Sequence, residues 1–128
     1  MGTHNIDVTN NAKVTVAHSI GLVTWNNAVE ASDIKITDTN TGLAIVTQST
    51  IANADNWKTT GKQWTIGGGK LTQKDDASSN LRAILNKKFD SHHYSIEMTL
   101  TKTSGSEGFI IPFYWDDDNN YSWFKIGG

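Results

Sequence analysis

The sequence of 128 residues contains no cysteine, which excludes a disulfide framework, a thiolate nucleophile and cysteine-ligated zinc. It has no run of eighteen apolar residues, so no membrane-spanning helix is expected. Its 11 basic and 13 acidic residues give a net charge of −2. A protein that holds a nucleic-acid backbone needs a basic surface, so nucleic acid is not an expected partner. The length predicts one domain over residues 1–128.

The absence of cysteine does not decide the cellular compartment of the protein. The first five residues, MGTHN, do not show the basic region followed by an apolar stretch that is typical of a secretory signal. A chain without cysteine fits the cytosol, and it also fits many bacterial secreted proteins.

Threonine, valine, isoleucine and tryptophan are plentiful, and clusters of glycine and asparagine recur between them. The clearest strand covers residues 94–101, where apolar and polar side chains alternate. Residues 81–85 fit either helical spacing or a short buried strand, and the surrounding strands favour the latter. Further strands are predicted at residues 13–18, 20–25, 32–37, 43–47, 62–66, 70–73, 108–115 and 121–126. Short strands at regular spacing predict an all-β fold, a sandwich or a barrel.

Residues 109–115 are apolar on both faces of a predicted strand, which places this strand between two layers or between a core and a ligand surface. One face is Phe109, Ile111, Phe113 and Trp115, and the other is Ile110, Pro112 and Tyr114. Proline has no backbone N–H, so Pro112 predicts a bulge or an unpaired position.

The last predicted strand has two unlike faces. Phe124 and Ile126 are expected in the core, which leaves Tyr121, Trp123 and Lys125 on the opposite side. Aromatic rings pack well against sugar rings, while neighbouring polar groups bind the hydroxyls. The alternative is that the two aromatic rings fill the interior of the sandwich, with the lysine at its rim.

Glu107 begins the double-sided strand and is the fourth candidate for a ligand-binding residue. Its carboxylate would accept hydroxyl hydrogen bonds in a cleft. The alternative is a solvated carboxylate in a turn.

No metal or cofactor is predicted. The run at residues 116–120, DDDNN, offers oxygen ligands for calcium but lacks the usual loop spacing, so a polar hairpin turn is favoured. His92 and His93 alternate faces, which argues against a shared zinc ion. No catalytic residue is predicted either, because the three glutamates, Glu30, Glu97 and Glu107, form no evident carboxylate pair.

Several ordered motifs carry a family resemblance. They are WTIGGGKLTQ at residues 64–73, YSI at 94–96, EGF at 107–109 and DDNNYSWFKIGG at 117–128. Together they resemble the laminin-G-like, or concanavalin A-like, sandwich module attached to bacterial α-L-arabinofuranosidases. The resemblance implies an antiparallel jelly-roll sandwich and covers about residues 55–128.

The order of the segments departs from that family. Residues 20–37, IGLVTWNNAVEASDIKIT, resemble its closing strands but come first here. Residues 1–50 thus correspond to the closing strands and residues 51–128 to the opening ones. Three explanations fit: a fragment spanning two tandem modules, a circular permutation, or a truncated module completed by another chain. A monomer is predicted if the first segment pairs with the last, and a strand-exchanged homodimer otherwise.

The resemblance implies that the chain is a non-catalytic, carbohydrate-binding module that serves a glycoside hydrolase, secreted or at the cell surface of a bacterium. Its partner would be an oligo- or polysaccharide containing arabinose. Glu107, Tyr121, Trp123 and Lys125 match the family motif and would contact the sugar. Three alternatives stay open: a structural or protein-interaction module, a small hydrolase, and a fragment of an α-L-arabinofuranosidase.

Overall fold

The computed structural model describes residues 2–9, 17–47, 53–91, 93–117 and 119–127. Its strands are β1 (Gly2–Thr9), β2 (Gly21–Thr24), β3 (Asn27–Asp38), β4 (Ala44–Val46), β5 (Trp57–Thr59), β6 (Trp64–Gly67), β7 (Lys70–Gln73), β8 (Leu81–Leu85), β9 (His93–Gly105), β10 (Phe109–Asp117) and β11 (Asn120–Ile126). A 3-10 turn covers Ala54–Asn56. Across these ranges, no helix has the length and apolar character needed to span a bilayer.

The strands form two antiparallel sheets that pack face to face. The six-stranded sheet has the order β1-β9-β3-β7-β6, and β4 pairs with the far end of β3. The five-stranded sheet has the order β11-β10-β2-β8-β5. The predicted all-β antiparallel sandwich is therefore confirmed, and the open choice between sandwich and barrel is decided for the sandwich.

The core lies between the sheets and follows the alternation of the strands. In β9, Tyr94, Ile96, Met98 and Leu100 are all buried. From the other sheet, Leu22 and Ala83 are cross-strand partners in β2 and β8 and belong to the same core. The residues next to them along each strand point to the outer face, because side chains alternate sides in a strand. The outer face of the five-stranded sheet carries the cavities described below.

The early strands lie in the middle of both sheets. β2 is flanked by β10 and β8, and β3 is flanked by β9 and β7. Strands from near the start of the chain are therefore paired with strands from near its end within one chain. The sequence predicted a monomer on the condition that the first segment pairs with the last. The oligomeric state itself stays a prediction.

Some sequence-based boundaries were wrong. β1 and β5 were not predicted as strands. β9 extends beyond the predicted end at residue 101, because Gly105 still pairs with Asn27. Glu30 lies within β3, outside the strand predicted at residues 32–37, and pairs with Lys70 at 3.2 Å. Most of the strand predicted at residues 13–18 lies outside the described residues.

A bulge in β10 corrects the predicted faces of that strand. The pairing with β11 shifts register between Phe113 and Asp117, and Tyr114 has a φ of 49°. Between these two pairs β10 advances four residues and β11 only two, and a bulge with a positive φ changes the direction in which the following side chains point. The Tyr114 ring therefore packs towards Tyr94, with ring centroids 5.7 Å apart. Trp115 moves to the outer face, where it stacks on Tyr121 with centroids 4.5 Å apart.

β11 is an edge strand, and the prediction of Phe124 as a core residue is wrong. Its side chain is 38% exposed and stacks on Phe113 at 4.7 Å between centroids. Ile126, the other expected core residue, is half-buried and packs against the core. β11 therefore packs against the core at its C-terminal end and not along its whole length.

Candidate functional site

A cavity of about 310 Å³ opens on the outer face of the five-stranded sheet. We call it the β11 cavity; its lining residues are Val23, Trp25, Asn80, Glu107, Ile110, Tyr121, Trp123 and Lys125. All four candidates from the sequence thus lie around one cavity. They come from two places in the chain, the segment before β10 and the strand β11.

Strand pairing explains how the cavity is built. Lys125 lies opposite Ile110, and Ile110 lies opposite Val23. Cross-strand partners share a face, so these three residues form a row across β11, β10 and β2. The two aliphatic side chains make an apolar floor. Trp123 and Tyr121 lie two and four residues before Lys125 and therefore project from the same face.

The aromatic side chains of the cavity wall are open to solvent. Trp123 is 54% exposed, Trp25 is 43% exposed and Tyr121 is 40% exposed. Tyr121 stacks on Trp115 with an interplanar angle of 27°, so the Trp115 ring fixes the orientation of the Tyr121 ring. The alternative that Tyr121 and Trp123 fill the sandwich interior is therefore wrong. Contiguous exposed apolar patches are common where proteins bind ligands or partners.

An ion pair forms the polar side of the cavity. Lys125 Nζ donates a hydrogen bond to Glu107 Oε2 at 2.8 Å. This bond lowers the pKa of Glu107, and the positive charge of Lys125 lowers it further. Lys102 Nζ also donates to the backbone carbonyl of Glu107 at 3.2 Å. The carboxylate of Glu107 is therefore a charged hydrogen-bond acceptor, fixed in position beside the aromatic side chains.

A buried amide links two walls of the cavity. Asn27 is fully buried, and its Nδ2 donates to the carbonyl oxygens of Gly108 at 2.8 Å and Glu107 at 3.3 Å. Its Oδ1 accepts from the backbone N–H of Trp25 at 2.9 Å. Gln73 Nε2 in turn donates to the carbonyl of Asn27 at 3.1 Å. One side chain therefore positions both Trp25 and Glu107.

The sequence did not single out Trp25, Asn80, Asn27 or Gln73 as site residues. A tryptophan followed by two asparagines, directly after a buried strand, was the available signal for Trp25 and Asn27. Polar residues at the end of a strand mark turns, and the loops of a sandwich often carry its binding groups.

Asp117, Asn119 and Asn120 of the acidic run form hydrogen bonds with one another between β10 and β11. Asp117 Oδ1 accepts bonds from Asn119 N–H and Asn120 Nδ2, both at 2.8 Å. The first of these bonds is the main cause of the lowered pKa of Asp117. Among residues 2–9, 17–47, 53–91, 93–117 and 119–127, no group of three histidines or acids is arranged to hold a metal ion.

The three glutamates lie on different parts of the fold. Glu30 and Glu97 are in β3 and β9 of the six-stranded sheet, whereas Glu107 lines the β11 cavity. The candidate site therefore offers one carboxylate in an ion pair, a feature that suits ligand binding.

Sequence comparison relates this chain to part of a sugar-acting enzyme. The chain is 30% identical over 114 residues to an extracellular exo-α-L-arabinofuranosidase of Streptomyces chartreusis. The match covers 88% of this chain and 14% of that enzyme. No protein-family model matches the sequence, and no solved structure shows significant similarity to it. The chain is thus related to a small part of a much longer protein, which fits an accessory domain or a fragment.

Proposed function

We propose that residues 1–128 form a single, non-catalytic carbohydrate-binding module of laminin-G-like type. In this proposal the module binds an arabinose-containing plant polysaccharide and serves an extracellular glycoside hydrolase. The observation that carries the proposal is the β11 cavity, where Trp25, Tyr121 and Trp123 stand beside the ion pair of Glu107 and Lys125.

The chemistry of the cavity suits a sugar. The C–H groups of a sugar ring pack on an aromatic face, and Trp123 offers a large exposed ring. Hydroxyl groups need both donors and acceptors, which Lys125 and Glu107 supply at the end of the same wall. The apolar floor of Val23 and Ile110 excludes water from the ring face.

The relative supports the class of ligand and the setting. Its name describes an extracellular enzyme that releases α-L-arabinofuranosyl groups, and this chain corresponds to 14% of it. A segment that short fits an accessory role, because the catalytic machinery has ample room in the remainder. We therefore place the module outside a bacterial cell, where it holds the enzyme on its polysaccharide.

A second candidate function is protein contact through β11. Phe124 is exposed on the face of the strand opposite Trp123. An edge strand with apolar groups on both faces is a known type of protein-binding surface. This second function would use Phe124, whereas sugar binding in the β11 cavity would not.

The test titrates arabinan, arabinoxylan and xylan oligosaccharides by calorimetry into the wild type, Trp123→Ala and Phe124→Ala. The two aromatic residues are neighbours of comparable exposure on opposite faces, so Phe124→Ala is the matched control. We expect Trp123→Ala to weaken binding about tenfold, the value of one aromatic contact, and Phe124→Ala to leave it unchanged. Equal binding by the two variants would remove Trp123 from the site. No binding of any glycan at millimolar concentration would overturn the proposed function.

A further inference from the structure

A second cavity lies on the same outer face, towards the opposite edge of the sheet. Its volume is about 610 Å³, and we call it the β5 cavity. Its lining residues are Lys58, Thr59, Thr60, Arg82, Ile84, Trp115, Asp116, Asp117 and Asn119. None of them belongs to the lining of the β11 cavity.

Two contacts show that the cavities are neighbours. Arg82 of the β5 cavity is the cross-strand partner of Val23, which forms the floor of the β11 cavity. Trp115 of the β5 cavity stacks on Tyr121 of the β11 cavity at 4.5 Å. The guanidinium of Arg82 lies 5.6 Å from the centroid of the Trp115 ring. Arg82, Trp115 and Tyr121 thus form one shared wall, and a ligand that passes over Tyr121 enters both cavities.

The charges of the β5 cavity are mixed and do not favour an anion. Lys58 and Arg82 line it together with Asp116 and Asp117. Asp116 is paired with Lys88 at 2.7 Å. Ile84 supplies apolar surface, and Thr60 and Asn119 supply neutral polar groups. A surface with both charges, neutral donors and acceptors, and an aromatic wall suits a neutral polyhydroxy chain.

We propose that one oligosaccharide chain lies diagonally across this face and occupies both cavities. This inference rests on the proposed function and adds a binding mode to it. The recognised unit is a run of linked sugars that crosses Tyr121, and not a single terminal sugar. The two cavities, of about 310 and 610 Å³, each lie in the range of known ligand sites.

The test measures affinity as a function of ligand length. Calorimetry follows arabino- and xylo-oligosaccharides from the disaccharide to the hexasaccharide with the wild-type chain. A ligand confined to the β11 cavity gains nothing once that cavity is full. We expect affinity to keep rising along the series, because the added sugars enter the β5 cavity.

Two lysine variants test whether the gain in affinity with ligand length comes from the β5 cavity. Lys58 lines the β5 cavity, and the exposed Lys74 follows β7 in the other sheet, so Lys74→Ala is the matched control. Lys58→Ala should weaken the hexasaccharide about three- to tenfold, the value of one hydrogen bond, and leave the disaccharide unchanged. Lys74→Ala should change neither.

The outcomes separate the two proposals. Binding that depends on Trp123, with equal affinities for short and long ligands and no effect of Lys58→Ala, overturns the extended mode and leaves the proposed function in place. An absence of binding at every length overturns both.

Discussion

The ion pair of Glu107 and Lys125 gives the site a charged acceptor whose charge state depends mainly on one neighbour, Lys125. Lys125 donates to the carboxylate at 2.8 Å, and both groups stay partly exposed. Because the bond favours the charged form, the pKa of Glu107 lies below its ordinary value of 4.5. The pair therefore stabilises the fold at neutral pH. That stabilisation is lost as the pH falls through the lowered pKa of Glu107.

We predict that Lys125→Met raises the pKa of Glu107 towards 4.5, because it removes the main cause of the shift. The measurement is an NMR titration of the Glu107 side-chain carboxyl. Lys70→Met is the control, since Lys70 pairs with Glu30 in the other sheet. A midpoint for Glu107 that is the same in the wild type and Lys125→Met would show that the ion pair does not form in solution.

Asn27 holds two cavity walls in place, so its amide should matter for stability. Asn27→Ala removes the side-chain partner of the Gly108 carbonyl and of the Trp25 N–H, while the Glu107 carbonyl keeps its bond from Lys102. We predict a loss of about 1–3 kcal/mol in the free energy of unfolding, the typical cost of unsatisfied buried polar groups. Urea denaturation measures it.

The control for that prediction is Asn53→Ala. Asn53 accepts one bond from the N–H of Asp55 in an exposed turn. A change within about 1 kcal/mol is expected there. Equal losses in the two variants would contradict the linking role of Asn27.

At this scale the sequence predicted one part of the site and missed another. The alternation of β11 is enough to put Tyr121, Trp123 and Lys125 on one face. Trp25 and Asn80 reach the same cavity from loops that are distant in sequence. Only the strand order brings them there, and no local pattern encodes that order.

At the scale of elements, β10 shows where alternation stops being a guide. Its pattern predicted two clean faces, and these hold from Phe109 to Phe113. The bulge then turns Tyr114 inward and Trp115 outward. The bulge or unpaired position predicted at Pro112 was wrong for the ladder to β11, because Pro112 lies in register opposite Trp123 and the irregularity begins after Phe113. Its position depends on how the two neighbouring strands pair.

β11 shows a second limit. The alternation of side chains separated the two faces of β11 correctly. It did not predict that the core would cover the inner face only in part. Phe124 is exposed because β11 is the last strand of its sheet. The short β5 is the last strand on the other side, and its three residues carry too little pattern to be found. Edge position is a property of the sheet as a whole.

At the scale of the whole molecule, the class of fold followed from the spacing of short strands and polar turns. The strand order did not follow, because β2 and β3 become central only through partners that lie far along the chain. Pairings of this kind depend on tertiary packing, which local sequence does not report.

We predict that the chain is a monomer in solution. β10 and β8 flank β2, and β9 and β7 flank β3, within a single copy. Size-exclusion chromatography with light scattering should therefore give the mass of one chain at every concentration. A mass of two chains would support the strand-exchanged homodimer instead.

The placement of β11 at the margin of its sheet has a consequence for how the β11 cavity is lost. This strand is held by one ladder, to β10, and its side chains are mostly exposed. Marginal strands detach by local fluctuations that leave the interior intact. Tyr121, Trp123 and Lys125 would leave with it, so the β11 cavity can be lost while the remainder of the sandwich stays folded. A glycan that contacts β11, β10 and β2 together would stabilise the attached position of β11 and oppose this detachment.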